Sequence, residues 1–154
     1  MEVFDLSALC AEIIDLMFDV ARENEIALKG SIAEGIDYKG DEERIKQAIR
    51  ILVDNAIKYT PGEGTVTLSL TMSKRNVCIA VKDTGVGLTE EAKKKIFSRF
   101  YRVDDARNRE KGGVGLGLSI ADMIVKQHNG KIKIDSVPDQ GSTFTIVLPK
   151  TILK

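Results

Sequence analysis

Four short motifs follow one another in a fixed order between residues 54 and 118. They are Asp54-Asn55-Ala56-Ile57-Lys58-Tyr59, Asp83-Thr84-Gly85-Val86-Gly87, Phe97-Ser98-Arg99-Phe100-Tyr101-Arg102 and Gly113-Val114-Gly115-Leu116-Gly117-Leu118. The first closes a stretch with helical periodicity, the second ends one with strand periodicity, and the last opens another helix. A fold that uses all four must bring the ends of a helix, a strand and a second helix to one place. Each motif alone is weak. Together they describe a pocket with an amide able to hold a metal, a carboxylate to read a base, a mobile lid and a glycine-rich cradle for phosphates.

The rest of the chain supplies the elements such a pocket needs. Residues 2–5 read as a short strand. From residue 7 to about 25, Leu9, Ile13, Leu16, Met17 and Val20 recur at helical spacing. Residues 26–32 alternate like a strand, and 36–39 read as another short one. Asp41 suits a helix N-cap, with Glu42 and Glu43 in the first turn, where the helix dipole favours negative charge. That helix is expected to run to Tyr59 and stop at Pro61-Gly62. Residues 65–72 and 76–82 alternate apolar and polar side chains as two strands of a hairpin. A short helix from Thr89 to about Ser98, a polar lid at about 101–113 and a helix from about Gly115 to His128 follow. Asn129-Gly130 is a C-terminal stop signal. Residues 131–136 and 142–148 form a last hairpin. Hairpins interleaved with three long helices pack most simply as an α+β two-layer sandwich, with helices on one face of a mixed, mainly antiparallel sheet.

A chain of 154 residues, 43% hydrophobic and 30% charged, is sized for one core. Its formal net charge of +0 gives no global attraction for nucleic acid or an anionic membrane. The triplet Lys93-Lys94-Lys95 reads as a solvated helix face. Cys10 and Cys78 lie in apolar surroundings, which favours free thiols and a reducing, cytoplasmic compartment. No apolar run is long enough to span a bilayer.

The motifs carry specific chemistry. Ile45, Ala48, Ile49, Leu52 and Ala56 form the buried stripe of their helix, and Ile51, Asn55 and Lys58 lie along its edge. An amide at Asn55 can give Mg²⁺ an oxygen without adding charge, in keeping with the few protein ligands Mg²⁺ takes. Lys58, one turn on, can meet phosphate as a point charge, and Tyr59 can border an adenine ring. Asp83 can accept a hydrogen bond from the adenine exocyclic amine and would repel the guanine carbonyl. Gly85 and Gly87 let the backbone pass close by or take positive φ. The glycines of 112–117 expose backbone N–H groups ahead of a helix N-terminus, which attracts phosphate. This is not a P-loop, because Leu118 stands where its lysine belongs. It is not a dinucleotide-binding loop either, because Leu118 also replaces the third glycine. Arg102 can reach a γ-phosphate and stabilise charge during phosphoryl transfer.

In content and order, these motifs resemble the N, G1, F and G2 boxes of the ATP-binding catalytic domain of bacterial sensor histidine kinases. The resemblance spans nearly the whole chain and implies the Bergerat-type fold shared with gyrase-, Hsp90- and MutL-type ATPases. It implies that Asn55 binds Mg²⁺, and that Lys58 and Tyr59 contact phosphate and adenine. Asp83, with Gly85 and Gly87, would read the base, and Arg102 would contact the γ-phosphate. Gly113, Gly115, Leu116 and Gly117 would cradle the phosphates, and Thr143 would lie near the adenine. It further implies an acceptor histidine on a separate, upstream dimerisation domain and a response regulator downstream. The chain is then expected to be the catalytic domain of a larger kinase whose anchor, if membrane-bound, lies elsewhere. His128 is read as a helix C-terminal residue, favourable to the dipole when charged, rather than as the acceptor.

The chain departs from the family pattern at two positions. Ile51 stands where most relatives carry Asn, one turn before Asn55, which bears on metal affinity. Val114 stands where Thr or Ser is common. The hydrolysing ATPases of the fold keep a glutamate at the turn of Ile51 to activate water, so Ile51 argues against hydrolysis. Two other classes remain open: an ATP-sensing interaction module without transfer activity, and an ATPase or anti-sigma-type serine kinase of the same fold.

Overall fold

The structure is a computed structural model and describes residues 1–96 and 117–150. The expected lid lies outside the described residues, and with it Arg102, Gly113, Gly115 and Leu116. The elements, in order, are β1 (Glu2–Asp5), α1 (Leu6–Glu23), β2 (Ala27–Ile32), β3 (Asp37–Gly40), α2 (Glu42–Tyr59), β4 (Thr65–Met72), β5 (Asn76–Asp83), α3 (Glu90–Lys95), α4 (Gly117–Gln127), β6 (Lys131–Val137) and β7 (Gly141–Pro149).

Local chemistry sets most boundaries. Asp5 ends β1 and accepts the Ala8 N–H at 2.9 Å, so α1 starts one residue earlier than its apolar spacing suggested. Asp41 accepts the Arg44 N–H at 3.2 Å at the head of α2, and Thr89 accepts the Ala92 N–H at 3.0 Å at the head of α3. Each such cap stabilises its helix by about 1 kcal/mol. α2 stops because Thr60, bound to precede Pro61, turns extended at ψ 125°. α4 stops where Asn129 takes φ 61° and the Gly130 N–H returns to the Val125 carbonyl at 2.9 Å, closing off the last carbonyls.

The main sheet has five strands in the order β2-β4-β5-β7-β6. β2 and β4 pair in parallel, and every other pair is antiparallel. β1 and β3 form a separate two-stranded ribbon. The helices cover one face. Val66, Leu68 and Leu70 of β4, Val77, Ile79 and Val81 of β5, and Ile146 and Leu148 of β7 point into that layer and are buried. α2 lies at its centre, and its buried stripe includes Val53 and Ile57 beyond the expected set. The stripe is wider because α1 packs beside it, pinned on the surface by a Lys46–Glu12 ion pair. Each fully buried Leu or Ile contributes about 1.5–3 kcal/mol.

The two cysteines are free, Cys10 fully buried in α1 and Cys78 half-buried in β5. Burial pushes the Cys10 thiol up to about 12, so it serves as a neutral packing group.

His128 stands at the C-terminal end of α4, where the sequence put it, and it is buried, 6% exposed. Its Nδ1–H donates to the Ile124 carbonyl at 2.9 Å, and its Nε2 accepts the Asp41 N–H at 3.1 Å. A ring that donates at one nitrogen and accepts at the other is neutral. His128 thus fastens the end of α4 to the start of α2. His128→Ala is expected to lower the unfolding free energy by about 2–3 kcal/mol, because a buried N–H loses its acceptor and a cavity opens. Urea denaturation measures this, and a loss under about 0.5 kcal/mol would show that the ring braces nothing.

Candidate functional site

A narrow cleft of about 440 Å³, counted to its open mouth, lies where the motifs converge. Its walls come from α2 (Leu52, Asn55, Ala56, Tyr59), the end of β5 (Asp83) with the loop after it (Val86, Gly87, Leu88), Ile96 beyond α3, Leu118 of α4, and Ser142 and Phe144 of β7. Apart from Asn55, Tyr59, Asp83 and Ser142, the wall is apolar. That composition suits a flat heterocycle held by a few polar groups.

Asp83 is the buried charge in this wall. Its Oδ1 accepts two backbone N–H groups, from Gly85 at 2.8 Å and Ser142 at 3.2 Å. Among the described residues its Oδ2 accepts nothing and remains for a ligand. Burial raises the carboxyl above its usual value, and the Gly85 and Ser142 hydrogen bonds pull part of the way back. The backbone beside it leaves no room for side chains. A Cβ on Gly85 would lie 2.5 Å from the Tyr59 carbonyl oxygen and 2.8 Å from Asp83 Oδ1. Gly87 has φ 70°, and a Cβ there would lie 2.0 Å from the Val137 carbonyl oxygen.

At the mouth, the Asn55 Nδ2 donates to the Ile51 carbonyl at 2.8 Å. The nitrogen end of the amide is thereby held to the helix, and Oδ1 is left to coordinate or accept. Gly117 sits over the same spot: a Cβ on it would lie 3.2 Å from Ile51 Cγ2 and 3.5 Å from Asn55 Nδ2. The first described residue of the glycine motif therefore abuts the amide of the first motif. Lys58 pairs with Asp54 at 3.1 Å along the helix surface. Such a half-exposed i,i+4 pair contributes only about 0.3–0.5 kcal/mol, little enough for a phosphate to displace.

Residues 40–152 match the family described as histidine kinase-, DNA gyrase B- and HSP90-like ATPase. The chain belongs to this ATPase family. It is 43% identical over 146 residues to the adaptive-response sensory kinase SasA of Rippkaea orientalis, an alignment covering 94% of this chain and 37% of that protein. The chain thus spans little more than a third of that relative. Among solved structures it is similar to the catalytic domain of histidine kinase ThkA, with TM-score 0.85 and 32% identity over 98% of this chain and 97% of that one. ThkA in complex with the response regulator protein TrrA is 30% identical, with TM-score 0.80 over 97% of this chain and 41% of that one. Full-length ShkA in complex with AMPPNP is 26% identical, with TM-score 0.82 over 98% of this chain and 31% of that one.

Within this histidine-kinase-like ATPase fold, Asn55, Tyr59, Asp83 and Gly87 line one cleft, Gly85 lies directly behind Asp83, and Gly117 lies at the mouth. Lys58 is on the adjoining helix surface. Thr143 does not belong with them. Strand register pairs it with Lys82, which is exposed, whereas Ser142 pairs with Asp83 and Phe144 with Val81. Side chains alternate across a strand, so Thr143 faces away from the cleft and Ser142 faces in. Ser142 shares parity with Phe144, Ile146 and Leu148, but that parity points to the cleft only once the helices are known to cover this face of the sheet. Ser136 was also missed. It hydrogen-bonds to Ser142 and to the loop after β5, contacts that no linear spacing shows.

A raised carboxyl makes a pH prediction. Between the ordinary value and the raised folded one, the native state holds more protons than the unfolded state, so stability falls as pH rises. Asp83→Asn keeps an oxygen for the Gly85 and Ser142 N–H groups but does not titrate. The stability of the parent chain minus that of Asp83→Asn is therefore expected to decline as pH rises through that window and to level off above it. Urea unfolding at a series of pH values measures the difference, and a rise with pH would overturn the burial argument.

Proposed function

We propose that this chain binds ATP with Mg²⁺ and presents the γ-phosphate to a histidine on a separate dimerisation and phosphoacceptor domain, as the catalytic domain of a sensor histidine kinase. A response regulator would then take the phosphate from that histidine. The observation that carries the reading is the Asp83 carboxylate at the cleft floor, with one oxygen tethered by backbone N–H groups and the other open between apolar walls. An acceptor there pairs with the adenine amine and repels the guanine carbonyl. The family match and the AMPPNP complex of the similar ShkA support a nucleotide in this cleft. The response-regulator complex of ThkA supports the downstream partner.

The other roles follow from position and chemistry. Tyr59 and Phe144 would border the base. Asn55, with its amide nitrogen fixed on the helix, would offer Oδ1 to Mg²⁺. The metal, when bound, neutralises charge on the phosphate oxygens. Gly113, Gly115, Leu116 and Gly117 would hold the phosphates, and Lys58, released from Asp54, would add a positive charge. Arg102 would stabilise the γ-phosphoryl group during transfer. Ile51 leaves that turn of α2 without a carboxylate to activate water, which supports transfer over hydrolysis. No helix among the described residues is long and apolar enough to cross a membrane, and we place the domain in the cytoplasm, where ATP is available.

Calorimetric titration with a non-hydrolysable ATP analogue tests the reading. Binding near one per chain and strengthened by Mg²⁺ is expected. Asp83→Asn, which turns a donor toward the amine, is expected to cost about 100-fold in affinity while the chain stays folded. Arg102→Ala is expected to leave ADP binding nearly intact and to slow transfer to a supplied acceptor domain. No binding by the parent chain, or unchanged affinity in Asp83→Asn, would overturn the reading.

A further inference from the structure

We propose that the turn joining β6 to β7 positions the nucleotide-binding loop from behind, with Ser136 and the left-handed backbone of Asp139 as the positioning residues. The inference rests on the nucleotide reading of the cleft. Val86, Gly87 and Leu88 form one wall of that cleft. Gly85 is tied to Asp83 on one side of this stretch, and Thr89 caps α3 on the other. In between, two hydrogen bonds hold the loop among the described residues. The Val86 carbonyl accepts the Asp139 N–H at 2.6 Å, and the Leu88 N–H donates to Ser136 Oγ at 2.7 Å. Both partners belong to the same hairpin, and they grip the loop on either side of Gly87. Gly87 itself lies on the backbone of the turn: a Cβ there would be 2.7 Å from the Val137 carbonyl carbon and 2.9 Å from Pro138 Cα.

The turn is held in shape by its own chemistry. The Gln140 N–H donates to the Val137 carbonyl at 3.0 Å, and Ser136 Oγ donates to the Gly141 carbonyl at 3.2 Å. Asp139 takes φ 65°, a left-handed conformation that Asp tolerates and β-branched residues do not. That conformation aims the Asp139 N–H at Val86. Residues 137–140 are exposed and lie outside the cleft wall, so the turn touches no ligand and acts through the loop alone. A wall that retreats by a fraction of an ångström forfeits much of its dispersion contact with a flat ring. A loop that is correctly placed only part of the time lowers the apparent affinity by that fraction. The two anchors therefore set how well the cleft is formed before a nucleotide arrives.

The test measures affinity for a non-hydrolysable ATP analogue and for ADP, together with amide hydrogen exchange, on the full 154-residue chain. In Ser136→Ala both nucleotides are expected to bind about tenfold more weakly, the value of one lost anchor. The Leu88 amide is expected to exchange about tenfold faster, while the Leu68 and Ile79 amides in the middle of the sheet keep their rates. Ser136→Thr, which keeps the hydroxyl, is expected to restore both readouts. Asp139→Val drives the turn out of its left-handed conformation and is expected to reproduce the Ser136→Ala changes from a residue outside the cleft. Asp139→Gly, the conservative partner, adopts that conformation without strain and is expected to restore the parent behaviour. If Ser136→Ala does not fold, the two Asp139 variants decide. Faster exchange across the whole sheet with affinity kept would make the turn a structural brace and overturn the proposal. A loss confined to the ATP analogue, with ADP unaffected, would place the effect at the phosphates instead of the loop and also overturn it. Unchanged affinity in both Ser136→Ala and Asp139→Val would overturn it while leaving the nucleotide pocket standing. A parent chain that binds neither nucleotide would remove the nucleotide reading and the proposal together.

Discussion

Keeping a carboxylate ionised at the bottom of an apolar cleft is the constraint around which the site is built. Burial alone disfavours the charge, and the structure answers with two backbone N–H groups on one oxygen of Asp83. Those donors come from opposite sides, one from the loop after β5 and one from β7, so the loop and the strand must meet at the carboxylate. The glycines follow from that meeting. Gly85 lies against the Tyr59 carbonyl, where any Cβ would collide, and Gly87 takes a positive φ against the turn after β6. Burial still raises the carboxyl above its usual value, and a hydrogen-bond donor on its second oxygen would favour the charged form. Stability given up at such a position is common at functional sites.

The helix layer holds the other half of the cleft at two points. His128 joins α4 to the head of α2 through the Asp41 N–H. At the opposite end, Gly117 packs over Ile51 and Asn55. Between them Ala121 and Ile124 of α4 and Ala48 and Leu52 of α2 are buried in one core. The α2 residues that line the cleft are therefore set by a helix pair clamped at both ends.

The reading of Ile51 illustrates how a local substitution acts through its surroundings. Its side chain is apolar, yet its carbonyl takes the Asn55 amide nitrogen. The residue thus withholds a polar side chain from the mouth while its backbone orients the amide that remains. Lys58 is held in a similar provisional way, in a surface pair with Asp54 weak enough to exchange for phosphate.

By itself the sequence determined what depends on neighbours along the chain. The 3.6 and 2.0 periodicities located the helices and strands, Asp41 and Asn129-Gly130 marked helix ends, and the glycine motifs pointed to one pocket, because caps, stops and periodicity are interactions among residues a few positions apart. Only the tertiary structure decided that Ser142 rather than Thr143 faces the cleft, that His128 is a neutral buried brace, and that Ser136 links Ser142 to Leu88. Each of these depends on which face of the sheet the helices cover and on hydrogen bonds between residues six to 87 positions apart. A strand's parity has no meaning until one face is buried, and a hydroxyl's role has none until its partner arrives from another strand.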